Sequence, residues 1–271
     1  GQPNVGKSSL INNILNYERT LVSPMAGTTH DPIDSELICF GRRITLIDTA
    51  GIRKRSIGDF AMLEQLTIDY SLSAIDRCHV ALLLLDARAE HGIGDQEQRL
   101  AGALLERKCS IIVAANKWDL VGDNVDEFNR GTLKNELSNR LPFLRFAPIM
   151  PVSAETGYGV DDLMRNVIKC FDERSVRFST RELFNLIKEV NSFHNMPSKH
   201  GKKLKISFAI QSAQYPPTFI LWCNDPNLVH VAYERFLENR IREKYAFFGT
   251  PITLVFRKNA GKQRSRGYKR D

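Results

Sequence analysis

An open, mostly parallel α/β sheet with helices on both faces, followed by a small α+β domain, is the architecture this sequence predicts. Three observations predict it. Residues 80–85 and 111–115 are unbroken apolar runs, which is how strands buried on both faces of a parallel sheet read. Apolar positions at helical spacing separate them, among them Leu100, Ala103 and Leu104, so strand and helix alternate. Near Glu173 the pattern changes to helix, strand, strand, helix, strand.

In chain order, a first helix is expected from Ser8 to about Leu15, with no strand and no initiator Met before it. That start reads as a cut just inside a nucleotide-binding domain whose first strand is missing. Residues 36–40 and 43–47 flank Gly41-Arg42 as two strands joined by a tight turn. Leu133, Leu137 and Leu141 recur at helical spacing, and 146–152 reads as the last strand of the sheet. Beyond it, Ser179-Thr180-Arg181-Glu182 is a capping box before the amphipathic series Leu183, Leu186, Ile187, Val190 and Phe193. Strands over 205–213 and 218–223 are split by Tyr215-Pro216-Pro217. Asp225-Pro226 offers an N-cap with Pro at the first position of a helix carrying Leu228, Ala232, Phe236, Leu237 and Ile241. Residues 252–256 close the unit, which is compatible with a KH-like fold. The expected division is 1–173, 174–258 and a basic tail, 259–271.

With 271 residues the chain is long enough for two domains. No apolar run approaches the ~18 residues of a membrane span. Five cysteines without a C-x-x-C pair suggest neither a disulfide framework nor a zinc site, and read as reduced core thiols of a cytoplasmic protein. The six histidines lack metal spacing. The net charge of +7 conceals a division: residues 1–175 hold 20 Lys+Arg against 24 Asp+Glu, and 176–271 hold 18 against 7. The second part would attract phosphate backbones, or serve as a solvated tail that keeps the protein soluble.

The chemistry sits in the first part. Gly1-Gln2-Pro3-Asn4-Val5-Gly6-Lys7-Ser8, continued by Ser9, fits the phosphate loop G-x-x-x-x-G-K-S. Lys7 is expected on the β- and γ-phosphates and the Ser8 hydroxyl on Mg²⁺. Asn116-Lys117-Trp118-Asp119 selects the base: the Asp119 carboxylate can accept from the N1–H and 2-amino group of guanine, donors that adenine lacks there. Asp48-Thr49-Ala50-Gly51 follows a strand, where Asp48 would hold Mg²⁺ through water and the Gly51 N–H would bond the γ-phosphate. In the polar stretch after the first helix, Thr29, in preference to Thr28, would reach the same ion. Ser153-Ala154-Glu155 is placed to meet the guanine O6 through a backbone N–H. Ile52 stands where many GTPases carry a water-orienting Gln, and it cannot hydrogen-bond. Asn4 could instead hold a K⁺ near the phosphates, or its amide could simply stabilise the loop. Lys7, Asn4, Thr29 and Gly51 are therefore the candidates for roles in hydrolysis.

G-x-P-N-V-G-K-S, A-G-T-T-x-D, D-T-A-G-I-R-K-R and N-K-W-D, with Pro216-Pro217-Thr218-Phe219 and Asn224-Asp225-Pro226 further on, resemble the bacterial Der (EngA) GTPase family. The resemblance is to its second GTPase domain plus the C-terminal KH-like domain, and covers nearly the whole chain. It implies a preceding GTPase domain, GTP hydrolysis with Mg²⁺, action on the large ribosomal subunit or its precursor, and no membrane. Some relatives are activated by potassium, and a polar or aliphatic residue at the Ile52 position suits the family. The chain departs from KH proteins generally in lacking G-x-x-G within 176–271, so recognition of rRNA or of ribosomal protein stays open. Two rivals remain at this level: an Era-like GTPase acting on the small subunit, against which the missing G-x-x-G argues, and an RNA-binding scaffold with a vestigial nucleotide site, against which Lys7, Ser8, Asp48 and Asp119 argue.

Overall fold

The computed structural model describes residues 1, 4–17, 34–47, 74–88, 94–121, 131, 135, 139, 141–192, 196–199 and 201–259. Contacts group them into two units, one of Gly1–Arg174 with Phe247–Pro251, the other of Ser175–Ala246 with the stretch beginning at Ile252.

In the first unit, α1 (Lys7–Tyr17) is followed by a hairpin of β1 (Ser35–Cys39) and β2 (Arg42–Leu46). Its turn is Phe40–Gly41, one residue earlier than the sequence suggests. Both turn residues have positive φ (49° and 74°), as a tight two-residue hairpin turn requires, and Gly41 adopts that conformation without strain. Then come β3 (Val80–Asp86), α2 (Asp95–Glu106), β4 (Ser110–Asn116), β5 (Ile149–Pro151) and α3 (Val160–Glu173). β3, β4 and β5 form a parallel sheet in that order, with Val80 opposite Ser110 and Asp86 opposite Asn116. β4 is buried throughout because its two faces meet different helices. Ile111, Val113 and Ala115 pack in one core cluster with Ala101 and Leu104 of α2. Ile112 and Ala114 pack in another with Leu10 and Ile14 of α1 and Leu163 of α3. This is the two-sided sheet expected from the apolar runs.

The last strand is shorter than the expected 146–152. A 3₁₀ turn at Pro142–Leu144 precedes it, and Pro148 and Pro151 supply no N–H to the ladder. Of the helix expected through Leu133, Leu137 and Leu141, the first two lie outside the described residues. Leu141 precedes the 3₁₀ turn with φ −127°, outside helical geometry.

The second unit runs α4 (Thr180–Ser192), a two-residue pair β6 (Ser198–Lys199) and β7 (Lys202–Lys203), β8 (Ile206–Gln214), β9 (Pro217–Cys223), α5 (Val231–Lys244) and β10 (Thr253–Lys258). The sheet order is β10-β9-β8, with β9 antiparallel to β8 and parallel to β10. Pro217 opens the central strand, a position that leaves the ladder intact. The capping box forms as read: the Ser179 N–H donates to Glu182 Oε2 at 2.8 Å, and the Glu182 N–H donates to Ser179 Oγ at 3.2 Å. Asp225 does cap, accepting from the Asn227 N–H, but what it caps is a 3₁₀ turn, Pro226–Leu228. The helix proper starts three residues later, where His230 Nδ1 accepts from the Tyr233 N–H at 3.2 Å. Phe193, expected on α4, lies outside the described residues.

Candidate functional site

At the site, the ends of β3 and β4 meet the loop that opens α1. Val5 is buried and anchors that loop, and the Leu10 N–H donates to Gly6 O as α1 begins. Gly6 has φ +95°, and a Cβ there would collide with the Asn116 side-chain amide. The second glycine of the phosphate motif is thus fixed by backbone conformation and by close approach together. Asn4 is exposed with φ +61°, the left-handed region, which an Asn tolerates better than most residues. Ser8 and Ser9 are exposed in the first turn of α1, where unpaired N–H groups and the helix dipole favour an anion. Lys7 Nζ donates to Gly1 O at 2.8 Å, so the ammonium is folded back over the loop. Burial lowers its pKa, and the negative charge of Glu97 opposes that shift.

Asn116 ties the site together. Its side chain is buried at the end of β4. Nδ2 donates to Val5 O at 2.7 Å, and Oδ1 accepts from the Ala154 N–H at 2.8 Å. One amide therefore joins the phosphate loop, the base motif and the Ser153–Glu155 turn. Lys117 follows with φ +64°, which reverses the chain, and Trp118 is buried with its N–H on Val152 O. Asp119 is then exposed. With Asn116 and Trp118 buried and Lys117 half-buried, the turn is held from inside and the Asp119 carboxylate is left accessible.

Asp86 belongs to this set, though the sequence does not single it out. It forms an ion pair with Lys117 Nζ at 2.9 Å and accepts from Arg88 Nη2 at 2.6 Å. Burial disfavours its charge, but the bonds from Arg88 and Lys117 outweigh burial and hold the carboxyl far below the usual range. The available signal was an acidic residue closing the apolar run 80–85, in a strand that a parallel sheet would align with the one ending at Asn116.

Ser153 is fully buried: its N–H donates to Tyr158 O and its Oγ accepts from the Thr156 N–H. With the Ala154 N–H engaged by Asn116, two of the three N–H groups in this turn are committed, and that of the exposed Glu155 becomes the candidate donor to a base. Gln2, Pro3, Thr29, Asp48, Thr49, Ala50, Gly51 and Ile52 lie outside the described residues. No group of three His, Cys, Asp or Glu side chains suited to a metal occurs among the described residues. The Ser8 hydroxyl is a hard oxygen donor of the kind Mg²⁺ takes. No helix among the described residues is long and apolar enough to cross a membrane.

Comparison with known proteins supplies two family models and many relatives. Residues 1–117 match the model described as a 50S ribosome-binding GTPase, and 177–257 match the KH-domain-like region of EngA bacterial GTPase enzymes. A GTPase Der of Thermomicrobium roseum is 43% identical over 95% of this chain, and one of Desulforamulus reducens is 41% identical over 97%. The chain spans 55% and 58% of the lengths of those two relatives. A solved structure of the elongation factor SelB from Methanococcus maripaludis, with a GTP analogue, is 26% identical, covering 62% of this chain and 32% of that one at a TM-score of 0.44.

Proposed function

We propose, for a chain that belongs to the Der (EngA) family of GTPases, a GTP-hydrolysing switch that acts in ribosome biogenesis on the large subunit or its precursor. The observation that carries the nucleotide reading is the Asn116 knot. A single buried side chain draws the phosphate loop, the base motif and the 153–155 turn to one place, as a guanine nucleotide would need. In this reading Asp119 accepts from the guanine N1–H and 2-amino groups, and Lys7 leaves Gly1 O for the β- and γ-phosphates. Ser8, with Thr29 and Asp48, would hold Mg²⁺, which neutralises charge between the phosphates when bound. Residues 1–173 form the switch, 174–258 the KH-like docking domain and 259–271 a basic tail. The protein acts in the cytoplasm, and the length of its relatives fits a further GTPase domain elsewhere in the full protein. The family matched by residues 1–117 is described as binding the 50S ribosome, which supports the large-subunit assignment.

The test exchanges nucleotides. Asp119→Asn replaces an acceptor by a partial donor, so GTP should weaken by several kcal/mol while xanthosine triphosphate, whose 2-oxo group accepts, gains. Unchanged GTP affinity would remove residues 116–119 from the base site. Co-sedimentation with 50S and 30S particles in GTP and in GDP decides the target; binding to 30S alone overturns the large-subunit assignment.

A further inference from the structure

Two cysteines that the nucleotide chemistry does not use meet at the opposite end of the sheet. Cys78 lies just before β3 and Cys109 immediately precedes β4, so the parallel pairing of those strands brings the two thiols side by side. Their sulfurs are 2.9 Å apart, and Cys109 Sγ also lies 3.8 Å from Cys78 O. Both thiols are free. Their exposure differs: Cys109 is buried, and Cys78 is half-buried next to the exposed His79.

We propose that Cys78 and Cys109 are a reversible dithiol–disulfide site, oxidised by a low-molecular-weight disulfide of the glutathione class. Cys78 reacts first. Its thiolate attacks one sulfur of the small disulfide, forming a mixed disulfide and expelling one small thiolate. Cys109 then loses its proton and attacks Cys78 Sγ, expelling the second small thiol. One protein disulfide and two small thiols result, so the two electrons leave the protein with the oxidant.

The surroundings support this order. The hydrogen bond with Cys109 lowers the Cys78 pKa, burial opposes that, and the Arg174 guanidinium lowers it further. The hydrogen bond with Cys78 and burial both push Cys109 up. The half-exposed, more acidic sulfur is the one a small disulfide can reach, and the buried neighbour resolves the adduct. Each strand runs seven residues from this end to Asp86 or Asn116, roughly 20 Å at ~3.3 Å per residue, so the site is distinct from the nucleotide loop.

The test uses the full chain, reduced, and needs no nucleotide. It is incubated with oxidised glutathione, quenched with N-ethylmaleimide after unfolding, and read by intact mass and peptide mapping. Two of the five thiols should be lost, with no glutathione retained, a Cys78–Cys109 peptide recovered, and complete reversal by dithiothreitol. In Cys109→Ser the same treatment should leave glutathione on Cys78, because nothing resolves it. Five alkylated thiols in the wild type, a disulfide joining any other pair, or stable glutathionylation of the wild type would each overturn the proposal. All three outcomes are read on the wild-type protein, so the test does not depend on how well the variant folds.

Discussion

Asn116 carries more of this site than its place in a base-recognition motif implies. Replacing it by Ala leaves the buried Val5 carbonyl and the Ala154 N–H without partners. Each such loss costs about 1–3 kcal/mol. We therefore expect Asn116→Ala to lower stability by about 2–5 kcal/mol and to weaken GTP and GDP alike, checked by urea denaturation and nucleotide titration. Asp119→Asn should spare stability, because Asp119 is exposed. Equal stability loss in the two variants would show that Asn116 does not brace the loops. Asn4 makes a different case. Ile52 cannot orient water, and an arginine finger is worth ~10³–10⁵ in rate where one acts. Asn4 is exposed with a left-handed backbone, and we propose that its amide helps to hold K⁺ instead. Hydrolysis in KCl should exceed that in NaCl by well over tenfold, and Asn4→Ala should erase the difference with GDP affinity retained. Equal rates in both salts would exclude that role.

At the level of elements, α4 shows how one carboxylate can bind a helix start to its surroundings. Glu182 closes the capping box with Ser179 and also accepts from the Tyr245 hydroxyl at 2.8 Å. The bonds from Ser179, then that from Tyr245, hold its carboxyl down to about 2, below the ordinary 4.5. A depressed native value means the carboxylate stabilises the fold fully above about pH 4.5, and that contribution fades as pH falls through about 2. The stability gap between wild type and Glu182→Gln should be constant above pH 5 and close toward pH 2 in acid-denaturation curves; a gap that widens with acid contradicts the assignment. On the outer strand, buried Gln211 accepts from the Phe178 N–H at 2.8 Å and donates to Val176 O at 3.0 Å, and Asn191 bonds both backbone groups of Ile206. The Asn191 amide thus occupies edge groups at Ile206 that would otherwise be open to another chain, while Gln211 ties β8 to the segment that leads into α4. Gln211→Ala should cost about 1–3 kcal/mol in thermal or chemical denaturation.

These elements also show what the sequence could reveal. Strands β3 and β4 were legible because burial on both faces erases alternation and leaves continuous apolar runs. The capping box was legible because its chemistry is local. The start of α5 was misplaced because Asp225-Pro226 suits a 3₁₀ turn as well as an α-helix, and His230 capping through an imidazole gives no common signal. The pairing of Asp86 with Lys117 and the Cys78–Cys109 contact were hidden for a different reason. Both arise from register between parallel strands far apart in sequence, and single residues carry no mark of the partner that register assigns them.

Across the whole molecule, charge is divided as function would require if one part handles nucleotide and the other meets polyphosphate. The stretch 176–271 holds 18 basic residues against 7 acidic, and five of the basic ones lie in 260–271. Each phosphate neutralised releases condensed counterions, giving a slope of log affinity on log salt near −0.7 to −0.9 per contact. Association with rRNA-containing particles should therefore weaken steeply from 50 to 200 mM KCl. Deleting 260–271 should flatten the slope by up to about 4, if all five basic residues reach phosphate. The same deletion should leave GTP hydrolysis unchanged, since no candidate GTP-binding residue lies beyond Glu155. A salt-independent association, with the tail or without it, would shift the docking surface from phosphate to protein; the KH-like sheet, which carries no G-x-x-G clamp, would then be the face to map.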